Sequence, residues 1–305
     1  MTLASLKSSR NSSIDKLLNA AQSLNEPVER KGPDERIWKP TVDKSGNGYA
    51  VLRFLPAPEG EDLPFVRYWD HFFQNKSTGL YYVEKSLTTL GQKDPVGEMN
   101  SKLWNAGGEG SPERDQARDQ KRRLHYVSNI YVVSDSQAPE NEGKVFLYKY
   151  GQKIYEKLMQ AMQPEFPDDE PVNPFDMWEG ADFKLKIRNV GGWRNYDAAQ
   201  FASPSALADD DDKLDTIYSQ VHSLAEFTDP SSFKSYEELK VQLNNVLGEN
   251  PDMSTQQRED LSITAESAPM KTVEAVSAEP VQDTSGSDDD DDDTMSYFSK
   301  LANED

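Results

Sequence analysis

The sequence of 305 residues contains no cysteine. This absence excludes disulfide bonds and every thiolate-ligated metal site, and it fits a reducing compartment. An apolar run of the roughly 18 residues that cross a bilayer is also missing, and the first residues lack the apolar core of a secretion signal. We therefore expect a chain that stays inside the cell and has no membrane partner.

Catalytic motifs are missing as well. The three histidines, His71, His125 and His222, stand in no recognisable catalytic spacing. The chain has neither the glycine-rich phosphate loop that ends in Gly-Lys-Ser/Thr nor the Gly-x-Ser-x-Gly elbow of hydrolases. We predict that it is not an enzyme.

Bases are scarce relative to acids, since 33 Lys and Arg oppose 54 Asp and Glu for a net charge of −21. The excess is unevenly distributed. Residues 37 to 198 hold 21 bases and 24 acids, a net charge of −3, whereas residues 249 to 305 hold 3 bases and 16 acids, a net charge of −13. The first region can therefore carry a locally positive groove in an acidic protein.

The first region has the alternation and β-branched content of strands. Lys121–Val133, Val145–Tyr150 and Phe183–Arg188 are the strands with the most bases and aromatic residues, and a short amphipathic helix is predicted from Ile154 to Met162. Short strands with one helix and long loops predict a mainly β fold with α additions. A barrel of the OB-fold type, which commonly binds nucleic acid, fits this pattern.

Two further helices are predicted near the end of this core. Asp209–Asp212 can start the first, and Ser235 with Glu238 forms a capping box for the second. Both helices are expected to pack on the barrel, whereas Gln92–Arg114 is expected to be irregular. The chain thus divides into a polar arm (1–36), a core (37–248) and a disordered acidic tail (249–305).

Bases and aromatic side chains occur together on the predicted strands. Single-stranded nucleic acid needs this combination, with cations for the phosphates and flat rings for the unpaired bases. Because only one face of a strand can be wet, about half of the rings must be structural, and a basic patch can also be a solvated surface without a ligand. The candidates taken from the residues alone are Trp104, Lys121, Arg122, Arg123, Tyr126, Tyr148, Lys149, Lys184, Lys186, Arg188, Trp193 and Tyr196.

The strand Phe183–Arg188 shows the two-residue period most clearly. Its apolar residues face one way, while Lys184, Lys186 and Arg188 face the other. Taken alone, this row of cations is equally typical of a solvated outer face. The aromatic residues Trp193 and Tyr196 that follow favour a binding surface.

Several stretches of the core have distinctive residue strings. Ala138–Phe146, which reads Ala-Pro-Glu-Asn-Glu-Gly-Lys-Val-Phe, is the most specific of them. The others are the basic triplet with Asn129 and Ile130, the turn at Gly46–Gly48, and Ser232–Leu239. Together these stretches resemble the single-stranded DNA-binding proteins of T-even-type bacteriophages, and the resemblance runs in order from about Ile37 to Gly248.

That resemblance implies an OB-fold core with a small inserted subdomain, which coats single-stranded DNA cooperatively during replication, recombination and repair in the cytoplasm of the infected bacterium. It implies that the arm binds the adjacent protomer through Lys7, Ser8, Ser9 and Arg10. It also implies that the acidic tail contacts replication and recombination proteins and competes with DNA for the groove. The groove positions are Arg53, Arg122, Tyr126, Tyr148, Lys149, Trp193 and Tyr196, with Trp104 at a further aromatic position.

One departure from the family concerns its zinc site, which uses one His and three Cys. His71 stands at the His position, but Ser86, Asp94 and Gly97 stand where the cysteines would be. Glycine cannot ligate a metal and a single imidazole is a poor anchor, so we predict no zinc and no other cofactor. Packing around Leu80 and its apolar neighbours is expected to hold this subdomain instead.

Two alternatives remain open at this point. The chain can be an acidic scaffold or DNA mimic that acts through its tail, in which case the isolated core ignores nucleic acid. It can also be a metal-dependent nuclease with scattered carboxylates, in which case it cuts single strands when magnesium is present.

Overall fold

The computed structural model describes residues 34–166, 168–250, 258, 261 and 262. The predicted protomer-contact residues Lys7, Ser8, Ser9 and Arg10 and most of the acidic tail lie outside the described residues. Within the described part, no helix is long and apolar enough to span a bilayer.

Nine strands of the described residues form one connected sheet, which confirms the mainly β prediction. The main order is β1-β6-β5-β2-β7-β8, with β3 also on β5, β4 on β3, and β9 on β7. Among the described strands, only β1 and β6 pair in parallel. The strands are β1 (Ile37–Trp38), β2 (Gly48–Phe54), β3 (Phe65–Gln74), β4 (Tyr81–Lys85), β5 (Arg123–Asp135), β6 (Val145–Tyr150), β7 (Ala181–Val190), β8 (Trp193–Asn195) and β9 (Gln200–Pro204).

The long strand β5 organises this sheet. Residues Tyr126 to Ser128 pair with β3 on one edge and β6 on the other, and Ile130 with Tyr131 pairs with β2 and β6. Strands β3 and β2 therefore lie one after the other along the same edge of β5. This arrangement makes β5 the common neighbour of three strands.

The main core lies on one face of these strands. Alternate residues of β7, namely Phe183, Leu185 and Ile187, are buried there with Phe54 of β2 and Ile130 of β5. Fully burying side chains of this size contributes about 1.5–3 kcal/mol each. The cationic residues of β7 lie on the opposite face, as the period-two pattern predicted.

Five α-helices accompany the sheet within residues 34–250. They are α1 (Pro95–Ala106), α2 (Pro112–Asp119), α3 (Gln152–Met162), α4 (Asp211–Tyr218) and α5 (Tyr236–Leu247). Helix α3 buries Ile154 and Leu158 against the main core, and the predicted capping box of Ser235 and Glu238 starts α5.

The expected irregular segment Gln92–Arg114 is instead helical over most of its length. Asp94 caps α1 by accepting bonds from two backbone N–H groups, and Pro95 follows as the first helical residue. Ser111 and Pro112 repeat this arrangement at α2. A capping side chain followed by proline is a strong signal for the start of a helix. In this segment the neighbouring glycines argued against a helix and concealed the signal.

The two C-terminal helices pack on different parts of the molecule. Helix α4 packs on the sheet through Leu214 and Ile217, as expected. Helix α5 instead packs through Leu243 and Val246 on a cluster beneath β4 and α1, so the expectation that it lies on the barrel was wrong. The apolar residues of α5 pack in the small cluster around Tyr82 and not in the main core.

Arg53 of β2 is fully buried and belongs to the framework of the fold. Its Nε donates to Asp182 Oδ1 at 2.9 Å, while Nη1 and Nη2 each donate to the Ser205 carbonyl at 3.0 Å. The fork ties β2 to β7 and to the segment after β9. The expectation that Arg53 contacts DNA is therefore corrected, because its guanidinium has no exposed surface.

Replacement of Arg53 by Met should lower the free energy of unfolding by about 3 kcal/mol, because it leaves Asp182 and the Ser205 carbonyl without their buried donor. Urea denaturation measures the change. The matched control is Arg188→Met on the exposed end of β7, for which a change within about 0.5 kcal/mol is expected. Unchanged stability with reduced DNA affinity in the Arg53 variant would contradict the structural role.

Candidate nucleic-acid interface

Arg122 approaches an aromatic residue that the sequence analysis did not select. Its Cζ lies 5.2 Å from the ring centroid of Trp69 on β3, and the Cζ of Arg67 lies 4.9 Å from the same ring. Trp69 pairs with Leu124 and Arg67 with Tyr126, so these side chains share the core-side face of β3 and β5. We call Arg67, Trp69 and Arg122 the Trp69 cluster.

A stack of rings lies beside the Trp69 cluster. Tyr126 stacks on Tyr155 of α3 with a centroid distance of 4.0 Å and an interplanar angle of 7°. Phe65 packs edge-on against Tyr155 at 5.4 Å, and both of these rings are half-buried. Tyr126 itself is buried, and its hydroxyl donates to Gln152 Oε1. The accessible part of the stack is therefore Phe65 and Tyr155 rather than Tyr126.

Tyr148 lies deeper in the same core and presents no surface for stacking. It is 2% exposed and meets Trp38 edge-on at 5.2 Å. Burial raises the pKa of its phenol well above the ordinary value, so the hydroxyl stays neutral. The expectation that a base stacks directly on Tyr126 or Tyr148 is thus corrected for this conformation, because both are core rings.

Trp104 on α1 has its own pair of arginines. The Cζ of Arg114 lies 4.6 Å and that of Arg118 5.5 Å from the Trp104 ring. The two arginines are four residues apart on α2 and therefore share a face of that helix. This group is a second combination of guanidinium groups with an aromatic ring. The four-residue spacing of Arg114 and Arg118 could have indicated it, but the sequence analysis did not predict helix α2.

The hairpin between β7 and β8 presents Trp193 prominently. Gly191 and Gly192 form the turn with φ of +60° and +88°, values that favour glycine. Trp193 is 67% exposed and lies opposite Val190, which is also exposed. Tyr196 follows the hairpin and packs partly buried on the main core.

The remaining predicted cations lie on the other face of the sheet. Lys184 is opposite Val51 and Lys186 opposite Tyr49, on the outer side of β7 and β2. Lys149 is opposite Val127 on the outer side of β6 and β5. The structure therefore does not bring Lys184, Lys186 and Lys149 together with Arg122, and the single cleft that the sequence analysis predicted divides into separate surfaces.

The alternation of side chains along a strand also divides the basic triplet between the two faces of the sheet. Arg122 joins the Trp69 cluster, whereas the Cζ of Arg123 lies 5.0 Å from Phe72 on the opposite face. Lys121 is half-buried at the entry to β5. Only alternate members of a basic run can serve one surface of a strand.

Lys149 forms a salt bridge with the partly buried carboxylate of Asp70. Its Nζ and the Nε2 of His125 each lie 2.9 Å from a different oxygen of Asp70. Burial alone would raise the pKa of Asp70, but the contacts with His125 and Lys149 lower it well below the ordinary value. This arrangement indicates that Lys149 stabilises the junction of β3, β5 and β6.

Among the described residues, no three His, Asp or Glu side chains converge to form a metal site. The alternative of a metal-dependent nuclease therefore has no site to build on in that part of the chain.

Comparison with known proteins decides the family. Residues 46–247 match the family model described as gp32 DNA binding protein like. The chain is 39% identical over 223 residues to the single-stranded DNA-binding proteins of Enterobacteria phages T2 and T4, a match that covers 70% of this chain and 71% of each relative. A single-stranded DNA-binding protein of Escherichia phage SV14 is 41% identical over 71 residues, which are 23% of this chain and 61% of that relative.

This chain belongs to the gp32-like DNA-binding protein family. The resemblance inferred from the sequence is therefore confirmed. The matched region contains β2 to α5 and includes the Trp69 cluster, Trp104 and the Trp193 hairpin. Names in the family give a binding function rather than a reaction, which agrees with the prediction that this member is not an enzyme.

Replacement of both Arg67 and Arg122 by Ala should weaken binding to a dT oligomer roughly tenfold at low salt. The salt slope, log Kd against log salt, should fall by about 0.7 for each phosphate that the variant no longer neutralises. Fluorescence titration at several salt concentrations measures both quantities.

The matched control for that variant is the double replacement of Lys184 and Lys186 by Ala, which removes the same charge from the outer face. We expect it to retain most of the affinity. A larger decrease in affinity for the lysine variant than for the arginine variant would place the strand on the outer face instead.

The Asp70 contacts also predict a pH dependence. Because the pKa of Asp70 is lower in the folded chain than in the unfolded one, its stabilisation is present above about pH 4 and is lost as the pH falls further. The stability difference between the natural protein and Asp70→Asn should therefore shrink below pH 4 in urea denaturation. As a control, Asp119→Asn, whose exposed partner is Lys76, should show a small difference at every pH.

Proposed function

We propose that this chain binds single-stranded DNA cooperatively and without sequence preference. It would coat exposed strands during phage DNA replication, recombination and repair in the cytoplasm of the infected bacterial host. The observation that carries the proposal is the Trp69 cluster beside the half-buried rings Phe65 and Tyr155, in a chain that shares its family with named single-stranded DNA-binding proteins. Guanidinium groups suit phosphates, and rings suit unpaired bases.

The position of these groups favours unpaired strands over duplex. Arg67 is exposed, and its guanidinium is held by Trp69 rather than by a carboxylate. A base that stacks on a ring such as Tyr155 or Trp193 would add about 1–3 kcal/mol, and a duplex cannot offer its bases in this way. In the proposed arrangement the sheet forms an OB-fold core, and residues 75–120 are its inserted subdomain.

Titration with poly(dT) at several salt concentrations tests the function. Tryptophan fluorescence should be quenched at low salt, because Trp69 and Trp104 lie among the proposed contacts, and the apparent affinity should fall as salt rises. A duplex of the same length is the control and should bind more weakly. Absence of quenching and of any mobility shift at low salt would refute the proposal.

The arm and the tail are assigned separate roles in this proposal. The arm, with Lys7, Ser8, Ser9 and Arg10, would contact the adjacent protomer, so deletion of residues 1–35 should lower cooperativity more than single-site affinity. Comparison of a short oligomer, which holds one protomer, with poly(dT) separates the two quantities. An equal decrease in both would contradict the role of the arm.

The tail, residues 249–305, would recruit replication and recombination proteins and compete with DNA for the cationic surface. Its net charge of −13, from 3 bases and 16 acids, supports this competition. Deletion of the tail should therefore strengthen binding to duplex DNA in a low-salt mobility assay, and unchanged binding would count against the competition.

A further inference from the structure

The positions at which the family places zinc ligands converge in this chain without forming a zinc site. His71 Nε2 lies 3.2 Å from Asp94 Oδ1, and Ser86 Oγ donates to Asp94 Oδ2 at 2.9 Å. Gly97 lies one turn into α1, where an added Cβ would lie 3.8 Å from the Asp94 Cβ. One imidazole and one carboxylate are the ligands that remain, and structural zinc requires four.

The Asp94 carboxylate is already occupied by protein donors. Oδ1 accepts bonds from the N–H groups of Val96 and Gly97 at 3.0 and 3.2 Å, and Oδ2 accepts from Leu87 N–H at 3.1 Å in addition to Ser86 Oγ. Burial would raise the pKa of Asp94, but these bonds and the contact with His71 lower it to about 2. A metal would have to displace these donors, so zinc does not fit the residues present.

We propose that this buried polar network replaces the metal as the crosslink of the subdomain. The network, which we call the Asp94 lock, consists of Asp94, Ser86, His71, Asn100 and the Gln120 carbonyl. All five residues are at most 4% exposed. Through Asp94 it joins β3, the 3₁₀ helix Leu87–Leu90 and the start of α1.

The second half of the lock reaches the end of α2. The Gln120 carbonyl can only accept, so His71 Nδ1 carries the proton and donates to it at 3.0 Å. Asn100 Nδ2 donates to the same carbonyl at 3.2 Å. The imidazole therefore bridges the residue after α2 to Asp94, where its Nε2 lies 3.2 Å from Oδ1 without the geometry of a hydrogen bond.

The lock is adjacent to the Trp69 cluster at two points. His71 follows Trp69 by two residues and lies on the same face of β3, and Gln120 directly precedes Lys121 and Arg122. Fixing the Gln120 carbonyl thus fixes the backbone from which Arg122 extends. On the basis of the proposed function, His71 and Asp94 are positioning residues for DNA binding as well as a structural crosslink.

The first test is metal content and thermal unfolding of the full chain. Mass spectrometry of the purified protein should find no stoichiometric metal, and EDTA should leave the Tm unchanged. Stoichiometric zinc, or a Tm that falls on chelation, would overturn the proposal. This test requires no DNA, so it is independent of the proposed function.

The second test breaks the lock. Asp94→Ala should lower the Tm by roughly 10 °C, because it leaves buried donors unpaired, whereas Asp119→Ala on the exposed face of α2 should leave it nearly unchanged. An unchanged Tm in the Asp94 variant would contradict the lock.

The third test restores a metal site. The triple variant Ser86→Cys, Asp94→Cys, Gly97→Cys places three thiols around His71, and ordinary contact distance at residue 97 allows the added side chain. It should bind one zinc ion, and its Tm should fall with EDTA while the natural protein is unaffected. Adding His71→Ala to this variant should weaken the binding of zinc. A triple variant that folds but takes up no zinc would show that these positions do not converge as described.

The positioning role is tested at a temperature at which Asp94→Ala is still folded by circular dichroism. There the affinity for a dT oligomer should fall several-fold, with a smaller salt slope, because Arg122 is no longer held in place. Unchanged affinity and slope, with a lowered Tm, would leave the crosslink and remove the positioning role. If the natural protein itself does not bind the oligomer, the proposed function fails while the first three tests stand.

Discussion

The pairing register of β5 is the constraint on which the remaining structure depends. The strand pairs with β3, β2 and β6, so its alternation decides at once which side chains of four strands share a face. Arg122 and Tyr126 lie on the core side, where β3 adds Arg67 and Trp69. A shift of one residue would exchange this set with the outer face and would place Asp70 beside the rings instead.

This register reconciles a cationic surface with an acidic protein. The Trp69 cluster holds two guanidinium groups within 4.9 and 5.2 Å of one indole ring, and the ring attracts both of these like charges. Lys149, in contrast, is neutralised by Asp70 on the outer side. Screening over about 10 Å at 0.1 M salt means that local charge, rather than the net charge of −21, determines what approaches the cluster.

The sequence was sufficient for the features that depend on local pattern. Strand β6 has the predicted bounds, β5 and β7 lie within two residues of theirs, and the capping box of α5 is present. The faces of Tyr126 and Lys184 also followed from the two-residue period. Helix α1 was missed although Asp94-Pro95 is a start signal, because Gly97 and the later glycines argued against a helix.

Features that depend on which strands become neighbours could not be predicted. The two-residue spacing of Arg67 and Trp69 places them on one face of β3, but only the pairing of β3 with β5 shows that this face meets Arg122. Whether Arg53 contacts DNA or the protein interior depends on Asp182 and Ser205, which are more than a hundred residues away in the chain. Long-range pairing of this kind leaves no periodic signal in the sequence.

The packing of α5 explains how a subdomain can be held without a metal. Hydrogen bonds contribute about 0.5–1.5 kcal/mol each, which is much less than a structural zinc ion contributes to folding. The apolar contacts of Leu243 and Val246 with Tyr82 and Val96 supply burial that the lock lacks.

Two hydrogen bonds also attach α5 to the subdomain, one from Tyr236 to Glu98 on α1 and one from Thr78 to the Val246 carbonyl. The subdomain is thus held by the polar network and by α5, which is the last helix of the core in the sequence. Because α5 immediately precedes the acidic tail, the attachment point of the tail is on the subdomain rather than on the main core.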